Sequence, residues 1–107
     1  MRRGEIRWYK FKPPDKQRPV LLLTRDSAIE FLSEVTVAPV TTTIRDIPSE
    51  VVLSARDGMP RNCALNFDHV QTVSKARLGS VLATLGSSRW QEVEDALDFA
   101  LGFRPSH

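Results

Sequence analysis

The sequence predicts a mainly β chain of the α+β kind, a small and strongly bent antiparallel sheet or barrel capped by one C-terminal helix, and three observations lead there. Short runs of strand length, apolar or alternating, fill the first three quarters of the chain. Turn-forming residues separate them, most plainly at Asp57-Gly58-Met59-Pro60. The last quarter then changes period: Trp90, Val93, Ala96, Leu97, Ala100 and Leu101 recur at three- and four-residue steps and form one apolar stripe. Short strands followed by a single amphipathic helix bury their apolar surfaces by folding the sheet and laying the helix over it.

Taken in order, Ile6 to Phe11 is aromatic and alternating and reads as a first strand. Val20 to Thr24 is a continuous apolar run and reads as a second, and Val35 to Thr41 alternates around Val35, Val37 and Pro39 as a third. Between the second and third, Asp26 to Phe31 allows a single helical turn. Val51 to Leu53 and Ala64 to Val73 add strand-forming residues, and Ser80 to Leu85 a further strand. For the helix, Ser88 with Gln91 fits a capping box at the start, and Gly102 with Pro105 beyond fits the stop. His107, as the last residue, is expected to lack fixed structure.

At 107 residues the chain is the size of one domain, 1–107, with no repeat, low-complexity stretch or linker to divide it. Its 41% apolar and 26% charged residues exclude a disordered or membrane-spanning class. The run Val20-Leu21-Leu22-Leu23 is far too short to span a bilayer, and the basic Met1-Arg2-Arg3 start lacks the apolar run of a signal peptide, so a cytoplasmic location is expected. Cys63 is the single cysteine, which rules out an internal disulfide and a zinc site built from several thiolates. Fifteen Lys and Arg against 13 Asp and Glu give a net charge of +2, a modest excess that suits contact with a few phosphates and falls short of a duplex-binding stripe. The basic residues gather between Lys10 and Arg25 and again at Arg56, Arg61, Lys75 and Arg77; scattered solvated charges would look the same.

Arg18 stands before Pro19. Its backbone is therefore held extended, and Pro19 is best tolerated as the first residue of a strand, which puts Arg18 at a sheet rim. A guanidinium there can grip a phosphate through two parallel hydrogen bonds, although a plain surface arginine would occupy the same place. Thr41, Thr42 and Thr43 close the third strand. β-Propensity explains them, and so would a hydroxyl turned toward the pocket of Arg18. Asp68 and His69 suggest an acid–base dyad, but neighbours in a regular strand point to opposite faces, so His69 reads as a structural or surface histidine. The two histidines lie apart from any carboxylate spacing of a metal site, and no cofactor is expected.

At these residues the chain resembles the MazF/PemK family of messenger-RNA interferases. Arg3-Gly4-Glu5-Ile6 with its aromatic strand is similar to the family's opening, Arg18-Pro19-Val20-Leu21-Leu22-Leu23 to its second strand and Val37-Ala38-Pro39-Val40-Thr41-Thr42 to its third. Ile47-Pro48-Ser49-Glu50-Val51-Val52-Leu53 is similar to the following segment, Ala64 to Val73 to a late strand, and Lys75-Ala76-Arg77-Leu78-Gly79 to a short helical turn. The resemblance implies an SH3-like, CcdB-like barrel, a homodimer, and the toxin half of a toxin–antitoxin pair. It further implies a metal-independent, sequence-specific endoribonuclease that cleaves single-stranded RNA by ribose 2′-OH attack and so blocks translation. The family's catalytic arginine and threonine map onto Arg18 and Thr41. A MazE-like antitoxin whose acidic tail fills the RNA groove is implied as partner, with DNA contacted only through that antitoxin.

In such a groove Lys16, Gln17, Thr42, Thr43, Asn66, Asp68 and Gln71 are the candidates for RNA binding, because readers of single-stranded RNA hydrogen-bond splayed bases with polar side chains. Arg18 suits charge stabilisation, worth ~3–4 kcal/mol for one well-aimed donor. Three departures from the family stand out: Arg7 replaces an aromatic or aliphatic residue, the Lys12 to Gln17 loop is short, and Asn66 and Gln71 replace arginines found in some members. Two other readings share the barrel. One is a non-enzymatic CcdB-like toxin acting on DNA gyrase, which would depend on the end of the terminal helix; the other is an inactive RNA-binding module.

Overall fold

The computed structural model describes residues 1–14 and 16–103, so the expected roles of Pro105 and His107 lie outside the described residues. Seven strands form one antiparallel sheet: β1 Glu5–Lys10, β2 Gln17–Leu22, β3 Glu34–Thr41, β4 Glu50–Leu53, β5 Cys63–Asn66, β6 Gln71–Ser74 and β7 Leu78–Thr84. Their order is β4-β5-β3-β2-β1-β7, with β6 also on β3. A short helix α1, Asp26–Ile29, follows β2, and α2, Trp90–Leu101, ends the fold.

Strand β3 is the hub. On one edge it pairs with β2; on the other it pairs first with β6, Glu34↔Ser74 to Val37↔Gln71, and then with β5 at Val40↔Leu65 and Thr41↔Ala64. The continuous apolar run of β2 is explained by burial on both faces. Leu21 and Leu23 join Ile6, Ala38, Val40, Leu65, Phe67, Val93 and Ala96 in the core under α2. Val20 and Leu22 join Tyr9, Ile29, Val35, Val37 and Val73 on the other side.

The expected Ala64 to Val73 strand is broken in the middle. Asn66 Oδ1 accepts the Asp68 amide at 3.0 Å, and Phe67–His69 turns as a 3-10 helix, so the segment leaves β5 and re-enters the sheet as β6. A short polar side chain that bonds the backbone two residues on competes with the ladder in this way. Phe67, 1% exposed, anchors the turn against α2.

The helix also starts differently from expectation. Ser88 does not cap it: Ser87–Arg89 is itself a 3-10 turn, and α2 has Arg89 at its N-cap with no side-chain capping bond. A capping box is present instead at Ser54 and Asp57, ahead of the left-handed Gly58. Arg89 holds the helix start in place by bonding Glu92, Asp57 at 2.6 Å and the Val52 carbonyl at 2.8 Å, thereby tying α2 to β4 and its following turn. Gly102 ends the helix at φ 76°, as expected. Leu101, the last residue of the apolar stripe, stays 59% exposed. Arg7 neither packs as an apolar residue nor faces solvent freely: its guanidinium bonds Glu5 and the Gly79 carbonyl across the irregular β1–β7 ladder.

Two outcomes follow from this packing. Phe67→Ala should lower the unfolding free energy by about 3–5 kcal/mol in urea titrations, the usual cost of emptying a buried aromatic site; a loss near zero would mean that the turn is not anchored by it. Cys63 is 2% exposed, and burial, with the Asp57 charge nearby, pushes its thiol above the ordinary value. Ellman's reagent at pH 8 should therefore label the unfolded chain and leave the native one almost untouched over minutes, and prompt native labelling would contradict this.

Candidate active site

The site begins where the β2–β3 ladder stops. Leu23 donates its amide to the Thr36 carbonyl at 2.9 Å, and the register runs through Leu22↔Val37, Leu21↔Ala38 and Val20↔Pro39. Antiparallel pairs alternate between bonded and non-bonded, so the next bonded pair would join Pro19 and Val40. Pro19 has no amide hydrogen to give. The β2–β3 ladder ends there, while along its other edge β3 goes on to pair through Val40 and Thr41 with β5. Pro19 is thus the third residue of β2 and not, as expected, its first, and is tolerated because its missing donor falls on the side that β3 leaves.

The same register, continued across the split, sets Arg18 opposite Thr41. Both line two adjoining cavities of about 360 and 910 Å³. The smaller also receives Phe11, Pro39, Arg45, Asn66, His69 and Gln71. The larger receives Lys16, Gln17, Thr42, Thr43, Arg61, Trp8 and Cys63. Among the described residues no Asp or Glu lines either one, whereas Arg18, Arg45, Lys16 and Arg61 do. The groove is cationic and rich in neutral hydrogen-bonding groups, as a surface for a polyanion must be.

Within it the polar atoms are set for contact. No hydrogen bond or ion pair among the described residues engages the Arg18 guanidinium, so its five donors point outward unspent. Thr41 Oγ1 accepts the Thr43 amide at 3.1 Å, which fixes the oxygen and leaves the hydroxyl hydrogen to donate elsewhere. Asn66 uses its oxygen on Asp68 and keeps its amino group. The Arg45 backbone is held by Glu50 Oε1 at 2.9 Å. Thus Lys16, Gln17, Arg18, Thr41, Thr42, Thr43, Asn66 and Gln71 come together. Asp68 does not line the groove, because its carboxylate takes the buried Ser49 hydroxyl at 2.6 Å.

Sequence reasoning missed Arg45 and Phe11 as lining residues, and it named Arg61 only within a basic cluster. Arg45 and Arg61 sit in loops without periodicity, where nothing in the sequence marks direction. His69 was set aside on strand alternation; the Asn66-x-Asp68 spacing, which favours a local side-chain turn, is the signal that would have brought it in.

Comparison with known proteins gives one result throughout. Residues 2–101 match the family described as PemK-like, MazF-like toxin of type II toxin-antitoxin system. The chain is 43% identical over 100 residues to the probable endoribonuclease MazF5 of Mycobacterium tuberculosis, covering 92% of this chain and 91% of that protein. It is 40% identical over 88 residues to the endoribonuclease MazF3 of the same species, covering 82% of each. Toxin MazF-mt6 of M. tuberculosis superposes with a TM-score of 0.85 at 34% identity, over 92% of this chain and 96% of that one. A chain of a MazE-MazF crystal structure from Deinococcus radiodurans gives 0.76 at 26% identity, over 95% and 96%. The bent seven-stranded sheet with its terminal helix, the groove at the β2–β3 split and these matches place the chain in one family: it belongs to the PemK-like, MazF-like toxins of type II toxin–antitoxin systems.

Proposed function

We propose that this chain is an endoribonuclease, as its relatives are named, cleaving single-stranded RNA in the groove with Arg18 and Thr41 at the reacting phosphate. The observation that carries the reading is that both line the two adjoining cavities beyond the β2–β3 split, in a groove whose described lining holds cations and neutral donors and no carboxylate. The ribose 2′-OH would attack the adjacent phosphorus and the 5′-oxygen depart, so the protein's work is to align the attack and neutralise charge gathering on the phosphoryl oxygens. Arg18 supplies the charge and a two-pronged grip, and Thr41 a second donor. Lys16, Gln17, Thr42, Thr43, Asn66 and Gln71 read the flanking bases; Asp68, turned toward Ser49, is left out of that set.

The reading extends to partners. An antitoxin with an acidic tail fits a groove of this charge, and the MazE-MazF structure from D. radiodurans supports a partner of that class. A homodimer acting on RNA in the cytoplasm completes the proposal.

Purified protein incubated with mixed-sequence RNA in excess EDTA should produce defined new 5′ ends, and a 2′-deoxy substitution at the mapped site should abolish the cut. Arg18→Ala should lower kcat/KM about 10²- to 10³-fold, the loss typical of one preorganised charge-stabilising donor. Thr41→Val should cost about 10- to 100-fold. No cleavage by wild type would end the nuclease reading, and undiminished cleavage by Arg18→Ala would refute this site.

A further inference from the structure

The proposed reaction needs a proton delivered, and neither Arg18 nor Thr41 is suited to deliver one: the guanidinium does not give up its proton in proteins, and a threonine hydroxyl holds its own tightly. The smaller cavity contains one side chain that can. Of its lining, Phe11, Pro39 and Val40 are apolar, Arg18 and Arg45 are fixed cations, and Thr41, Asn66 and Gln71 are neutral; His69 alone carries an imidazole, the side chain most often used for general acid–base catalysis.

Its place there is built. The Asn66 oxygen holds the Asp68 amide at 3.0 Å and makes the 3-10 turn Phe67–His69. Phe67 pins one side of that turn into the core under α2, 1% exposed, while Asp68 is drawn off to Ser49 at 2.6 Å. Gln71 Nε2 donates to the His69 carbonyl at 3.3 Å. These contacts fix the backbone on either side of His69 and leave its ring, which no hydrogen bond among the described residues engages, exposed on the cavity that Arg18 and Thr41 share.

Resting on the nuclease reading, we propose that His69 is the general acid of the cleavage, donating to the departing 5′-oxygen. The 2′-OH gives its proton to solvent hydroxide and its oxygen bonds to phosphorus. The P–O5′ bond breaks with its electron pair on O5′, and the His69 imidazolium supplies the proton that makes it a 5′-hydroxyl. The products are a 2′,3′-cyclic phosphate, a 5′-hydroxyl and neutral imidazole. In-line displacement puts the attacking and leaving oxygens on opposite sides of phosphorus, so one imidazole serves only one of them. The alkoxide is a poor leaving group, and a site with a single proton-exchanging ring gains most by placing it there.

The test uses two oligonucleotides carrying the mapped cleavage site, one ordinary and one with sulfur in place of the bridging 5′-oxygen, because a thiolate departs without an acid. His69→Ala and His69→Gln should slow cleavage of the oxygen substrate about 10²- to 10³-fold. Both should cut the sulfur substrate within about tenfold of wild type, which also shows that the variants are folded and bind RNA. Equal losses on both substrates would overturn the assignment in favour of a structural or base role, and full activity on the oxygen substrate would overturn it outright. Wild type inert toward both would remove the nuclease reading together with this one, whereas active wild type with either other outcome removes only His69.

Discussion

The missing amide hydrogen of Pro19 determines where β2 and β3 part, and the groove depends on that position. Both strands are buried on both faces, Val20 and Leu22 against one core and Leu21 and Leu23 against the other. A one-residue slip would exchange the two faces of every strand in contact, so the register is held firmly. With the register fixed, the first bonded pair that cannot form is Pro19 with Val40, and the chain has no freedom to open elsewhere. Beyond that point β3 stays in the sheet through its other edge, where Val40 and Thr41 pair with β5. A rim with a free guanidinium on one lip and a hydroxyl on the other is the result.

The other wall of the groove depends on a second local competition. Asn66 takes a backbone amide that a continuous strand would have spent on its neighbour, and the resulting turn replaces one long strand by β5 and β6. Helix α2 makes this affordable by covering Phe67, and α2 is itself held at its start by Arg89 on Glu92, Asp57 and Val52. Near the same start, Gly4 at φ +95 brings the first strand up to Trp90, where a Cβ would stand 3.1 Å from the ring, and Arg3 lies over that ring. The helix therefore reaches the site only indirectly, by holding the turn that faces it.

Much of the sheet was legible in the sequence because burial writes period directly: alternation marked β1 and β3, and the unbroken apolar run marked β2 as covered on both sides. The split of Ala64 to Val73 was masked at its start, since Leu65, Asn66, Phe67 and Asp68 alternate as an ordinary strand does, and only the change of phase at His69 and Val70 marks the break. Ser88 and Gln91 had the spacing of a cap without the geometry, because Arg89 secures the helix start by tertiary bonds that spacing does not encode. In the site, Arg18 and Thr41 were weak readings in isolation and gained weight from resemblance; the physical reason they belong together, their common register across a ladder that Pro19 ends, exists only once β2 and β3 are paired. Arg45 and His69 were hidden because loops and 3-10 turns aim side chains by contacts distant in sequence.

Asn66 divides one side-chain amide between two duties, its oxygen shaping the turn and its amino group facing the groove. Thr42 and Thr43 at the opposite lip carry no comparable side-chain duty among the described residues, and neither do Lys16 and Gln17. The tolerance of the groove to substitution is therefore lopsided. Positions along the lip that follows β3 and precedes β2 can be exchanged at little cost in folding, while any exchange at Asn66 must first replace a backbone acceptor.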